Sequence, residues 1–338
     1  MERFFDKLNE QIEYNSGKEI EEIQSILKFS NISEDEHSHF NRNLIDKACV
    51  NLHFHPDRLS KDGKLIIEGL IDLGQYQNQF QTKVSSGSLS AKIGGERDKW
   101  ENKLFNNIFG SNTKERPKYG ALNLTGTRDG ASPRFGSCYF ISNPEIKTKC
   151  TFTYGDSYLM PKERGTIKNL FQVYAKLYYD IFVRNNALGF YYKSLKDFHE
   201  KTNHFLESNH LHNLQSHNLD FYIETQIHET VDLQKDISTL VADSSFQGTE
   251  LEHLFHTLCD KFGISLIWNE GYKINLLDFP DNFRGVETYE FAQQVADNGF
   301  INAYILGRAF EDKKIKKQFK DIFQLAKYTW HCMVKYGS

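Results

Sequence analysis

What this sequence lacks narrows the field first. No window approaches eighteen consecutive apolar residues, so no segment reads as a membrane-spanning helix. The opening MERFFDKLNEQIE interleaves charged and apolar residues where a cleaved leader needs an unbroken apolar run. Cysteine is sparse: the five residues Cys49, Cys138, Cys150, Cys259 and Cys332 are scattered and form no CxxC pair, which argues for reduced thiols and against a zinc ribbon or disulfide framework. A reducing cytoplasm is the expected setting, either that of the producing cell or that of a host into which an effector is delivered without a cleaved signal. Neither sign of charge dominates, since 41 Lys and Arg face 45 Asp and Glu, and a net charge of −4 gives no global pull toward nucleic acid or an anionic membrane. The GxxxxGK[ST] spacing of a nucleoside-triphosphate loop, internal repeats and low-complexity tracts are all missing.

What is present is enough to fold. A hydrophobic fraction of 39%, with 27 Phe and 17 Tyr in 338 residues, supports a full core. Residues 1–49 read as a helical lead-in, with Ser33 and Glu36 placed as a capping box. VNLHFH at 50–55 is a strand candidate stopped by Pro56, followed by an amphipathic helix over 60–73 that ends at Gly74. Further strands are expected at QFQTKV, YGALNL, GSCYFIS, CTFTY and across 221–231, with a strand pair over 264–276 turning at Asn269, Glu270 and Gly271. Helices are expected around 96–107, 166–182, 192–207, 248–262 and 286–335. Four strands between 79 and 154 without regular intervening helices favour α+β with a mixed or antiparallel sheet over a doubly wound fold. Soft boundaries near 50 and 285 divide the chain into 1–49, 50–285 and 286–338.

Polar residues cluster in several of these segments. His53 and His55 flank Phe54, so both imidazoles project from one strand face. With His228 they are a candidate metal set for a hydrolase; the bland reading is hydrogen-bonding histidines at a strand end. In HPDR, Arg58 suits a carboxylate or pyrophosphate, or else it staples the loop to Asp57. Thr82, Ser85 and Ser86 lie in a Gly- and Ser-rich stretch whose backbone can approach an anion or ribose. Arg134, Gly136 and Ser137 are expected in a strand beside Phe135, Tyr139 and Phe140. In FYIETQIHET, Tyr222, Glu224, Gln226 and His228 share one face: either a solvated strand face or a carboxylate fixed between neutral partners.

The blocks HFHPDR, QFQTKVSSGSLSAKIGGERDKWE, YGALNL, SPRFGSCYF, TFTYGDSY and IETQIH resemble the signature of a little-characterised bacterial domain family spanning about residues 50–285. That family is similar, remotely, to the ADP-ribosyltransferase superfamily, which includes effectors that inactivate a host glutamate dehydrogenase by modifying an arginine. The local likeness is His55 followed by Ile66–Leu70, the FGSCYF strand carrying Tyr139, and Glu224 on a late strand. The resemblance implies a split-sheet core and mono-ADP-ribosyl transfer from NAD to a protein side chain. Glu224, Tyr139 and His55 would be catalytic, and Arg58, Thr82, Ser85, Ser86, Arg134, Gly136 and Gln226 would join His55 and Tyr139 around NAD. It implies no metal. Arg58 with Ser85 or Ser86 is the rival anchor in the toxin branch, and Glu224 precedes Gln226 where that superfamily has ExE or QxE. A metal-dependent hydrolase and a non-catalytic interaction module are the alternatives.

Overall fold

The computed structural model describes residues 2–60, 62–82 and 91–338. Eight strands build one mixed sheet: β1 (Cys49–Phe54), β2 (Lys118–Asn123), β3 (Cys138–Ser142), β4 (Cys150–Tyr154), β5 (Arg164–Thr166), β6 (Ile223–Ile227), β7 (Ile237–Asp243) and β8 (Ser265–Asn269). Their spatial order is β8-β7-β3-β1-β2-β6-β4-β5. Every neighbouring pair is antiparallel except β7 with β8. The α+β class is as the sequence predicts.

Alternation divides the sheet into two unlike faces. Val50, Leu52, Phe54, Cys138, Phe140, Phe152, Ile223 and Leu240 enter the main core. That face carries paired helices: α2 (Gly17–Phe29) against α6 (Phe171–Arg184), α3 (Glu34–Lys47) against α7 (Leu195–Ser208), and α4 (Ile66–Leu73) against α8 (Glu252–Phe262). The other face presents polar residues in register, with His53 opposite Tyr139, Ala121 and Thr153 opposite Glu224, and Tyr119 and Thr151 opposite Gln226. The five central strands thus come from five of the sequence blocks that carry the resemblance.

The Ser33–Glu36 capping box forms as expected, the Glu36 carboxylate accepting from Ser33 N–H at 2.8 Å. The core is continuous from Ile23 of α2 to Val334 of α10 (Ile322–Tyr336), which packs on α9 (Val286–Val295), so neither soft boundary marks a break in packing. Three local expectations need correction. QFQT is a short helix, Gln79–Thr82, because Asn78 Oδ1 accepts from the N–H groups of Phe80 and Gln81. The helix after β1 starts at Ile66, its Leu65 N–H capped by Glu68. The segments flanking Gly271 do not pair together: β8 pairs with β7, and Ile274–Asn275 pairs with Phe300–Ile301. Among the described residues no helix is long and apolar enough to cross a membrane.

Candidate functional site

The polar face of the sheet floors one lobe of a cleft whose other lobe opens beyond the end of β1. One lobe, about 320 Å³, is lined by Arg97, Trp100, Lys118, Tyr119, Asp156, Tyr158 and Glu224. The other, about 470 Å³, is lined by His55, Arg58, Thr82, Phe310, Phe323 and Trp330 together with one side of α4. His53, Tyr76, Gln77, Gln79, Arg134, Phe135 and Lys327 border both, so the lobes meet at a waist carrying two cations. A further depression of about 900 Å³, lined by Ile141, Val241 and Ile267, contains none of the candidate residues.

Glu224 sits at the base of the first lobe and is only 5% exposed. Its carboxylate accepts from the Ser157 hydroxyl and from Gln226 Nε2 at 3.0 Å, while Trp100 holds the Ser157 carbonyl at 3.0 Å. Burial, reinforced by the charge of Asp156, pushes its pKa up to about 7 against the opposing hydrogen bonds. Trp100 stacks on Tyr119 with ring centroids 5.7 Å apart, and Tyr158 meets Trp100 edge-on, giving the lobe aromatic walls. Arg97 lies over both Trp100 and Tyr119. The row Tyr222, Glu224, Gln226 and His228 is buried throughout, which removes the reading of a solvated strand face.

Both histidines of HFHP line the larger lobe. His53 stacks on Tyr139 at 4.8 Å; its ring donates to Gly136 O at 3.2 Å and accepts from Ser132 N–H at 3.4 Å. Burial lowers its pKa to about 3, so it is neutral. His55 meets Trp330 edge-on, and burial with the nearby Arg58 charge holds it well below its ordinary value. Tyr139 is 1% exposed, and its hydroxyl donates to Arg128 O at 2.8 Å, so this tyrosine backs His53 and does not border either lobe.

Arg58 pairs with Asp57 at 2.9 Å and lies over Phe310 at 4.3 Å, combining the loop staple with a place in the larger lobe. Arg134 donates to Asp220 at 2.6 Å and Leu219 O at 3.0 Å while reaching the waist. It belongs to a 3-10 turn, Pro133–Phe135, and not to the strand, which begins at Cys138. Gly136 abuts the Phe54 backbone so closely that a Cβ would collide with it, giving this glycine a packing role. Thr82 borders the larger lobe, whereas Ser85 and Ser86 lie outside the described residues. His228 is remote from this lobe, enclosed by Phe4, Phe5, Phe105 and Phe109. Among the described residues no three His, Cys, Asp or Glu side chains converge as a metal set.

Sequence reasoning passed over Lys327, Trp100 and Tyr119. Lys327 comes from α10, forms no ion pair among the described residues, and is lowered in pKa by burial and by Arg134 and Arg284. These features define an α+β protein with a cation-waisted cleft, one lobe of which lies over the polar face of its sheet. Residues 49–336 match the family model described as "Protein of unknown function (DUF3626)", and the chain belongs to that family. No curated protein matches the chain.

Proposed function

We propose that this protein cleaves the bond between nicotinamide and ribose in NAD and transfers ADP-ribose to a protein side chain. The observation that carries this reading is the cleft itself: a buried carboxylate in one aromatic-walled lobe, a second lobe of similar size, and Arg134 with Lys327 between them. A dinucleotide has the matching layout, two ring systems joined by a pyrophosphate. The nicotinamide riboside would occupy the Trp100 and Tyr119 lobe, and the adenosine would extend toward His55 and Trp330.

In that pose the ionised Glu224 faces the positive charge that grows on the ribose as the C1′–N bond breaks. Nicotinamide departs neutral with the bonding electron pair. A lone pair of the acceptor forms the new bond to C1′, and the acceptor's proton passes to Glu224 and then to solvent. A glutamate poised near pH 7 suits both tasks. A host metabolic enzyme such as a glutamate dehydrogenase, modified on arginine, is the acceptor the family resemblance suggests.

Incubation with NAD labelled in the adenosine moiety, with and without host-cell lysate and chelator, tests the reading. Release of nicotinamide and label on a protein band, both insensitive to chelator, are the expected results. No nicotinamide release under either condition contradicts it.

A further inference from the structure

Behind Glu224 runs a chain of buried hydrogen bonds that the cleft does not use directly. Gln226 Nε2 donates to Glu224 at 3.0 Å and to Thr153 Oγ1 at 3.0 Å; Thr151 Oγ1 donates to Gln226 Oε1 at 2.7 Å; His228 Nε2 lies 2.8 Å from Thr151 Oγ1. A threonine hydroxyl has one proton. If it goes to Gln226, His228 must carry its proton on Nε2 and donate. If His228 instead carried it on Nδ1, Nε2 would take the threonine proton, and the Gln226 amide would have to turn over to donate to Thr151. Its carbonyl would then face Glu224.

The surroundings of His228 choose between these states. Its Nδ1 is buried with no hydrogen-bond partner, inside rings of Phe4, Phe5, Phe105 and Phe109 at centroid distances of 4.9–5.9 Å. A buried N–H without an acceptor is costlier than a bare acceptor nitrogen, so the cage favours the proton on Nε2. A second proton is disfavoured by burial and by the charge of Lys118, which hold His228 neutral. Thr153 reinforces the same polarity, because its own proton goes to Gly155 O at 3.1 Å and leaves it an acceptor for Gln226.

We propose that His228 is a positioning residue: its aromatic cage fixes the tautomer, the tautomer fixes the Gln226 amide, and the amide N–H is thereby held on the Glu224 carboxylate. Its consequence for catalysis rests on the NAD reading above. The other charged or titratable groups that share its lobe or act on Glu224 are Tyr222 on its own strand, Lys118 and Tyr119 on β2, Asp156 and Tyr158 beside the donor Ser157 after β4, Arg97 from α5 (Glu96–Leu104), and His53, Tyr76, Arg134 and Lys327 at the waist. Of these, Lys118 also acts on His228, so the substitution at Thr151 is the cleaner report of the chain.

The test is a titration of the full-length protein carrying carboxyl-labelled glutamate, followed by carbon NMR, with the Glu224 resonance identified by its loss in Glu224→Gln. Thr151→Val, which removes the hydroxyl that anchors the Gln226 carbonyl and lets the amide turn, is expected to raise the midpoint of Glu224, since a carboxylate that loses its donor is harder to ionise. His228→Phe fills the cage and frees the Thr151 hydroxyl to rotate away from Gln226, which is expected to shift the midpoint in the same direction, while Thr151→Ser restores the wild-type value. A folded Thr151→Val or His228→Phe protein in which Glu224 titrates as in wild type overturns the proposal. Should Thr151→Val fail to fold, the comparison of His228→Phe with wild type decides. Nicotinamide release is measured on the same samples: its absence from wild type ends the NAD reading while the carboxyl titration still judges the chain.

Discussion

Burial moves Glu224 and the cleft histidines in opposite directions, and the difference shapes what each can do. Glu224 titrates near 7, whereas His53 is held neutral down to about pH 3. If the carboxylate is the working form, nicotinamide release should rise as pH climbs through about 7 and level off above it, with no step from His53. A pH–rate profile that falls with rising pH across that range would make the protonated acid the active form. Lys327→Ala tests the waist. On the NAD reading, removing this cation from beside the pyrophosphate should raise the KM for NAD by about tenfold with kcat little changed. An equal fall in kcat and kcat/KM would place Lys327 in the chemistry. Glu224 was readable in the sequence because alternation isolates it with Gln226 and His228 on one strand face. Lys327 was not, because a lysine on an amphipathic helix looks like any solvated charge until the helix is placed.

At the scale of elements, five of the six sequence blocks were legible because each contains a strand of the central sheet, and hydrophobic alternation marks which side of each strand is core; the sixth, over 79–101, shows helices among its described residues. Tyr139 shows where that reasoning stops. Parity puts it on the polar face beside His53, but only the loop over 128–132 explains why its hydroxyl is spent on Arg128 O. The β7 strand, ISTLVAD, carries a β-branched signal yet was missed between the strand candidate at 221–231 and the helical pattern at 248–262. The pairing of Ile274–Asn275 with Phe300–Ile301 is non-local, and a Gly-centred turn suggested a hairpin instead. Gly136 has a sharp consequence. Because the Phe54 backbone occupies the space of its missing side chain, Gly136→Ala should destabilise the fold by roughly 1–3 kcal/mol or more, measured by urea unfolding. A stability equal to wild type, with NAD binding lost, would return this glycine to the cofactor site.

Across the whole molecule, buried titratable groups set a response to acid. His53, His199 and His228 are pushed to about 3, and His55 and His331 are also held well below the ordinary histidine range by burial. Between pH 6.5 and about 3 the unfolded chain therefore binds more protons at these sites than the folded one, so their contribution to stability is lost as pH falls. Glu224 and Asp243, both raised to about 7, act oppositely: the folded state binds their protons first, and their contribution is lost as pH rises from about 4 to 7. Six histidines, His37 included, are shifted this way against four raised carboxyls, Asp57 and Glu101 included, so the net contribution to stability falls as pH drops from 7 to 5.5. Chemical denaturation at pH 7 and pH 5.5 should show a marked loss of stability at the lower value; equal midpoints would mean that these histidines take up protons without unfolding.

The functional account as a whole turns on Glu224 acting in the transition state. The most direct measurement compares nicotinamide release by wild type and Glu224→Gln, with NAD affinity determined by calorimetry on both. The variant keeps the side-chain shape and removes the charge, so kcat should drop at least ~100-fold while affinity and folding change little. Near-normal turnover by a folded Glu224→Gln protein would contradict the account.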